Sequence, residues 1–495
     1  MPTDDTMHFP EFYNSPPAAS RCPPEIICTI FEYSVPDPPQ YDSDLRDPSH
    51  RQYSSISLTL GAICKHWRSI AWDTPLLWTT ISIAIDNFNK PDRVTLVEEW
   101  LTRSRNLPLN IILHLRHPLD LPQDAYNPLL KAISTTSHRW RTMSMKLPWD
   151  LTQSLCEMAE ELPMIHALRM DLFEDGSMAT LDLYDVVLWG DERPAPAKLW
   201  LCSPLMPHTN VVWEALTTFK VRGITASDCS NILRFATMLD SCTFYDVIEA
   251  YEGQDFNGTI LHEKLRRLTY TTDKPERSKP DLFILLVLPG LTHFSYTAPK
   301  TADESWIMHF FERSSCPLVE LELIHLIIDY EADLSFILQT TPSITRLTLF
   351  PLIEGQDNPE EAYTAAPLVK DLAQESEEND SATILSTDFL PNLRYLEYRL
   401  SPNLSFPWTN VPKMFGHPTA LSNPDRRPFK TLKVLNADGD PSANMHLKAI
   451  PKDVLLTLIE LRKAGIEIIY EDTNHPQMDL FALSLAFHSM TEKDQ

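Results

Sequence analysis

Three stretches, PGLTHFSY (residues 289–296), CPLVELEL (316–323) and TPSITRLTL (341–349), carry apolar residues at the first, fourth and sixth places of one short phrase. These are Leu291/Phe294/Tyr296, Leu318/Leu321/Leu323 and Ile344/Leu347/Leu349. The phrase reads as a short strand with one buried face. Upstream it recurs as Trp140/Met143/Met145, Ile165/Leu168/Met170, Leu216/Phe219/Val221, Leu239/Cys242/Phe244 and Leu265/Leu268/Tyr270. Downstream it recurs as Leu393/Leu396/Tyr398 and Leu432/Leu435/Ala437, and a weaker copy, Leu199 to Leu201, fills the gap before Leu216. From Leu216 to Ile344 the first residues step by 23, 26, 26, 27 and 26. So even a step marks a structural repeat.

Between the strands lie helical runs at 94–105 (Val97, Trp100 and Leu101 inward), 127–136, 151–162, 231–238 and 306–313, with further strands at 81–85 and 109–115. One strand and one helix per repeat predicts an α/β solenoid, in which each unit buries its apolar strand against its neighbours. The phrase, often with a proline two places ahead of it, resembles the leucine-rich repeat, P-x-L-x-x-L-x-L. It departs where that repeat has Asn or Cys: Leu326, Leu352 and Asp273 stand there, so an irregular curvature is expected. Two excursions interrupt the rhythm. Residues 353–380 hold nine acidic residues and one lysine, and 353–381 reads as a disordered acidic insertion. Residues 401–428 form a shorter, proline-rich one. The array is expected to end with a helix opened by Pro451 (Val454, Leu455, Leu458, Ile459 and Leu461 apolar). Gly465 stops it as a left-handed cap, and a strand at 466–470 and a covering helix at 478–490 follow.

Near the amino end, residues 22–34 read CPPEIICTIFEYS and residues 57–78 read SLTLGAICKHWRSIAWDTPLLW. Pro23 and Pro24 stand at the head of a helix, where a missing N–H is harmless, and Ile26, Ile27, Ile30 and Phe31 fall one turn apart. Leu60, Ile63, Cys64, Trp67, Ile70 and Ala71 sit at helical spacing in the second piece. Asp73 or Thr74 is placed to cap a third short helix with Pro75 at its first position. Three helices in so few residues make a small core that calls for a neighbour or a partner.

These residues, PPEI-I--IF and --IC-HWR-IA--TPLLW, resemble an F-box domain of the kind common in mushroom-forming fungi. Cys22 stands where that family usually has Leu, and the loop between the pieces is longer than the family linker. The resemblance implies a partner: a small Skp-type adaptor, and through it a cullin-RING ubiquitin ligase. Pro23, Pro24, Glu25, Ile27, Ile30, Phe31, Cys64, Trp67 and Ile70 would meet that adaptor or support the helices that do. The expected organisation is a disordered lead (1–20), an F-box-like domain (21–83), a repeat solenoid (84–471) and a C-terminal cap and tail (472–495).

Composition narrows the function. The net charge of −26 disfavours nucleic acid and anionic membrane, which call for basic surface. Only 11 glycines in 495 residues argue against Gly-rich phosphate loops. The 8 cysteines include no C-x-x-C and read as buried hydrophobes in a reducing compartment. The start MPTDDTMHFPEF has neither a basic nor an apolar segment, and the longest apolar run, 282–288, is far short of a membrane span. A cytoplasmic or nuclear location is expected, so Asn257 and Asn403, although in N-x-[ST] sequons, are not expected to carry glycans.

Catalytic motifs fail on inspection. Residues 253–259 read G-x-x-x-x-G-T without the P-loop lysine, and His262-Glu263 lacks a second histidine. His114 and His117 would point to opposite faces of a strand, and no G-x-S-x-G occurs. No catalytic residue, metal or cofactor is therefore assigned. The expected activity is that of a non-catalytic substrate receptor, its repeats holding a target protein. The alternative is a repeat scaffold acting without a ligase. Arg267, His293, Glu320, Arg346 and Tyr395 stand two places after successive first residues and would form a target-facing row.

Overall fold

The computed structural model describes residues 22–35, 50–85, 91–115, 123–160, 162–172, 187–190, 193–202, 205, 209–248, 258–272, 281–297, 305–326, 331–351, 365–373, 389–400, 406–416, 421, 426–436, 449–473, 475 and 477–491. The lead at 1–20 thus lies outside the described residues. The chain forms two compact units, Met1–Ala215 and Leu216–Gln495. No helix among the described residues is long and apolar enough to cross a membrane.

The first unit opens with helices α1 (Pro24–Ser34), α2 (His50–Ile63) and α3 (Lys65–Asp73), then a 3-10 turn at Pro75–Trp78. Strands and helices then alternate: β1 (Thr80–Ala84), α4 (Pro91–Arg103), β2 (Leu109–His114), α5 (Asn127–Ser134), β3 (Trp140–Leu147), α6 (Trp149–Met158), β4 (Ala167–Leu172) and β5 (Lys198–Cys202). The strands lie side by side in chain order, all parallel. Parallel neighbours require a crossover, and α4, α5 and α6 supply three of them. Two apolar ladders cross this sheet in register. One runs Ile81, Ile111, Met143, Leu168 and Leu199; the other Ile83, Leu113, Met145, Met170 and Leu201. All ten side chains are buried. The expected domain boundary at residue 83 falls inside β1.

The second unit continues the alternation with β6 (Thr218–Arg222), α7 (Ala226–Phe235), β7 (Ser241–Val247), β8 (Ile260–Leu261), β9 (Arg267–Thr272), α8 (Asp281–Leu285) and β10 (Leu286–Val287). Then come β11 (His293–Thr297), α9 (Ser305–Ser314), β12 (Glu320–Leu326), α10 (Glu331–Gln339), β13 (Arg346–Pro351), α11 (Ala366–Leu372) and β14 (Tyr395–Leu400). It ends with α12 (Val411–Phe415), β15 (Thr431–Asn436), α13 (Lys452–Lys463), β16 (Glu467–Asp472) and α14 (Leu480–Thr491). Apart from β8 and β10, which pair with each other, these strands are again parallel neighbours in chain order. The chain is therefore α/β, built on a large parallel sheet. The apolar phrase positions pair with their counterparts one strand on: Leu268 with Phe294, Tyr270 with Tyr296, Leu321 with Leu347, Leu323 with Leu349. Their aromatic members touch, Tyr270 and Tyr296 stacking at 6.0 Å.

Three expectations change. The tenth phrase is Phe429/Leu432/Val434, not Leu432/Leu435/Ala437, because Leu432 pairs with Leu396 and Val434 with Tyr398. Leu435 is only half-buried, on the other face, and Ala437 lies outside the described residues. Second, the acidic insertion contains structure: α11 buries Leu368, Val369 and Leu372, so 365–373 supplies a helix between β13 and β14, and the rest of 353–381 lies outside the described residues. The proline-rich excursion likewise contains α12, with Phe406, Trp408, Val411, Met414 and Phe415 buried. Third, α7 starts five residues before the expected 231. Thr225 caps it, its hydroxyl oxygen accepting the Asp228 N–H at 3.2 Å and its O–H donating to the Asp228 carboxylate.

Arginines, Arg139 and Arg427 buried and Arg313 exposed, tie consecutive strand–helix segments together. Arg139, one residue before β3, donates from Nε to the Leu107 carbonyl (3.0 Å) and from Nη2 to Ser104 Oγ (2.5 Å), just past the end of α4. On α9, Arg313 reaches the Phe283 and Leu286 carbonyls at the end of α8. Arg427 reaches the Leu372 and Phe389 carbonyls, the first at the end of α11. Each satisfies carbonyls that a helix end or the loop after it leaves open. Burial lowers all three guanidinium pKa values, that of Arg427 to about 10, where the charge of Arg426 adds to the effect.

Gly465 adopts φ +95° after α13, as expected of a left-handed cap. The final helix, α14, is clipped to the chain before α13: Ser484 Oγ accepts the Ile450 N–H at 3.1 Å, and His488 Nε2 lies 2.8 Å from the Ile450 carbonyl.

Candidate functional site

Two places carry the residues singled out from sequence. In the first unit, Pro23 caps α1 and Pro24 occupies its first turn, with Glu25 beside them, all exposed. The expected single stripe on α1 is two stripes. Ile27 (2% exposed) and Phe31 (fully buried) face inward, Phe31 meeting Trp67 edge-on at 5.0 Å. Ile26, Ile30 and Tyr33 face outward and are 51, 53 and 88% exposed. They stand four and three residues apart and so share one helix face. Ile27, Phe31 and Ile70 therefore hold the helices together and are not surface residues.

The second piece also differs from the expected continuous helix. It breaks at Cys64, whose extended backbone ends α2 and starts α3, with Sγ accepting the Trp67 N–H at 3.4 Å. Cys64 and Ile63 are consequently exposed instead of facing inward, and Leu58 joins them outside. Trp67 is half-buried. Thr74 does precede Pro75, but its hydroxyl donates back to the Ile70 carbonyl at 2.7 Å and does not cap the turn. Beneath this layer Trp78 is buried, donating from Nε1 to the Ala71 carbonyl and meeting the Trp100 ring at 4.7 Å. Arg103 lies 4.7 Å from the Trp72 ring and 4.8 Å from Trp78.

In the second unit the predicted row is a row. Arg267 pairs with His293, His293 with Glu320, Glu320 with Arg346 and Arg346 with Tyr395 across successive parallel strands. Glu320 is held from both sides, by His293 Nε2 at 3.5 Å and Arg346 Nε at 3.3 Å. Arg346 lies over the Tyr395 ring at 3.9 Å. Burial and the charge of Arg267 lower the His293 pKa, against the opposing pull of Glu320 and Asp240.

A second row, two residues further along each strand, escaped the sequence reading. Ser295, Glu322, Thr348, Glu397 and Lys433 succeed one another across β11 to β15. Glu322 accepts the Ser295 hydroxyl at 2.8 Å, and Glu397 accepts Tyr395 O–H at 2.8 Å and Arg399 Nε at 3.0 Å. Burial pulls the Glu397 carboxyl upward. The hydrogen bonds from Tyr395 and Arg399 and the charges of Arg399 and Lys433 outweigh it and hold the group below its ordinary value. Burial, the hydrogen bond to Glu397 and its charge push the Tyr395 hydroxyl up to about 12. The signal for this row was the residue between the fourth and sixth places of each phrase.

Other reactive side chains prove structural. His262 is buried, its Nδ1 accepting the Leu265 N–H at 3.1 Å, which leaves Nε2 to donate to the Ala236 carbonyl at 3.0 Å. Burial raises the thiols of Cys156, Cys202 and Cys242, that of Cys202 to about 12. His114 is buried at the end of β2, and His117 lies outside the described residues. Among the described residues no three His, Cys, Asp or Glu side chains gather as metal ligands would.

Compared with known proteins, the chain matches no family model, and no curated protein matches it in sequence.

Proposed function

We propose that the chain is the substrate-recognition subunit of a Skp–cullin–F-box type ubiquitin ligase. Helices α1 to α3 serve as the F-box-like module that docks a Skp-type adaptor, and the strand–helix repeats serve as a leucine-rich-repeat-like solenoid that holds a target protein. The chain itself contributes no chemistry. It brings a target lysine near a ubiquitin carried by other subunits, an effect of proximity alone. The setting is the cytoplasm or nucleus.

One observation supports this reading above the others. The small N-terminal layer buries Ile27, Phe31, Ile70, Leu77 and Trp78, yet leaves Ile26, Ile30 and Tyr33 on one exposed face of α1. Three large apolar residues on one helix face are the mark of a surface that a partner covers. The PPEI-I--IF resemblance gives that partner its identity.

The test is capture of a purified Skp-type adaptor by the full chain. Ile30→Glu and Tyr33→Glu alter exposed side chains, so the fold should survive and capture should be lost. A chain that binds no adaptor, or variants that capture it as well as the parent does, would overturn the proposal.

A further inference from the structure

Within the target-binding face just proposed, and resting on that reading, we infer that the strands β7, β9 and β11 receive an acidic, extended protein segment, with Arg267 taking one of its side-chain carboxylates. The five-residue row is not uniformly available. Glu320, Arg346 and Tyr395 are engaged with one another, and Glu397 and Glu322 share Arg399 at 3.0 and 4.0 Å. That side of the face is neutralised by its own ion pairs.

The other side is open. Arg267 is exposed on β9 and has no ion pair among the described residues. Its neighbours differ: Arg266 is paired with Asp240 at 3.6 Å, and Arg222 with Asp246 at 3.4 Å. In register around Arg267 stand Ser241 on β7 and His293 on β11, with the half-buried Thr269 and the buried Thr243 in the next row. These are hydroxyl and imidazole groups, and the carboxylates nearest them are already paired, Glu320 with His293 and Arg346 at 3.5 and 3.3 Å and Asp240 with Arg266 at 3.6 Å. A guanidinium flanked by hydroxyl donors favours a carboxylate, which it can grip with two parallel bonds. The chain carries 68 acidic against 42 basic residues, so this patch stands apart from its overall charge.

Thr218, Ser241, Arg267 and His293 line up across adjacent strands, a line of about 14 Å at the usual strand spacing. A free carboxylate would use one place on it. An extended segment of about four or five residues spans it.

The experiment is fluorescence anisotropy on the full chain with labelled twelve-residue peptides of alternating Glu and Ser, or Lys and Ser. The Glu–Ser peptide should bind and the Lys–Ser peptide should not. Arg267→Glu should weaken Glu–Ser binding by about tenfold or more, the scale of one lost charge-assisted contact. Arg346→Gln, on the self-paired side, should leave it within about twofold. Equal binding of both peptides, no binding of Glu–Ser, or indifference to Arg267→Glu would each overturn the inference. Self-association of the chain that Arg267→Glu abolishes would overturn it too, assigning the surface to a second copy. Adaptor capture separates the two proposals, because Arg267→Glu should leave it intact. Lost adaptor capture with retained Glu–Ser binding would instead count against the ligase reading alone.

Discussion

Arg346 lies 3.9 Å above the Tyr395 ring on one neighbouring strand while its Nε reaches Glu320 on the other at 3.3 Å. One guanidinium thus joins β12, β13 and β14 across the polar side of the sheet, opposite the apolar ladders. Arg346→Ala removes both contacts. Because the side chains are about half exposed, the expected loss is modest, about 0.5–1 kcal/mol. Urea unfolding at low and high salt checks it: the difference from the parent should shrink as salt screens the Glu320 pair.

Arg139 presents the opposite case. It is buried, and its guanidinium satisfies the Leu107 carbonyl and Ser104 Oγ beyond the end of α4. Arg139→Met keeps the apolar stem but strands those acceptors. A loss of about 2–3 kcal/mol is expected, read as a lower urea midpoint. Arg139→Lys should recover only part of it, since an ammonium cannot reproduce the two-nitrogen fork.

Stability should depend on Glu397 in acid. Its folded-state pKa is depressed, whereas in the unfolded chain it returns to the ordinary carboxylate value. The ionised group therefore contributes in full above that ordinary value, and the contribution is lost as pH falls through the lower folded-state value. Unfolding free energies of the parent and Glu397→Gln, measured at pH 7 and in steps below about pH 5, should converge on acidification. Curves that stay parallel would show that Glu397 gains nothing from Tyr395 and Arg399.

The same pair governs the alkaline limb. Tyr395 is raised to about 12, so its neutral form contributes stability below pH 10, lost as pH rises from the ordinary tyrosine value of 10 toward 12. Ultraviolet titration should show late ionisation. Glu397→Gln should advance it, because the carboxylate charge vanishes and only a neutral amide oxygen is left to accept the Tyr395 O–H. Tyr470, also raised to about 12 but by burial and Asp472, should be unmoved and serves as the internal reference.

What sequence could reveal here followed periodicity. The fourth and sixth places of these phrases are buried because a strand with one covered face repeats every two residues, and the even step kept Arg267, His293, Glu320 and Arg346 in register. Where two registers fit, the pattern misled. Around Leu432 both spacings place apolar residues three apart, and only the partner strand chooses Phe429 over Leu435. The same holds on α1, where Ile26 and Ile27 are adjacent and composition cannot say which faces in. Helix α11 was hidden by the acidic charge around it, although Leu368, Val369 and Leu372 carried helical spacing. The buried arginines gave no signal, since a guanidinium reads as surface until a helix end is found beside it.

Gly61 tests how tightly the N-terminal layer is set. A methyl group at Gly61 would fall within the Trp72 ring, against Cζ3 and Cη2. Trp72 has little freedom to yield, because Arg103 lies 4.7 Å from its ring and Trp78 meets it edge-on at 5.3 Å. Moving α2 aside would also strain the hydrogen bond from Arg68 Nε to the Gly61 carbonyl, 2.8 Å long. Gly61→Ala gains helix propensity, about 1 kcal/mol on an open helix, yet overpacking of this kind costs about 1–3 kcal/mol. A net loss is expected, confined to α2 and α3. Hydrogen exchange should show faster amides across 56–73 and unchanged protection in the second unit. If the substitution instead stabilises those amides, α2 and α3 are less closely apposed than this contact requires.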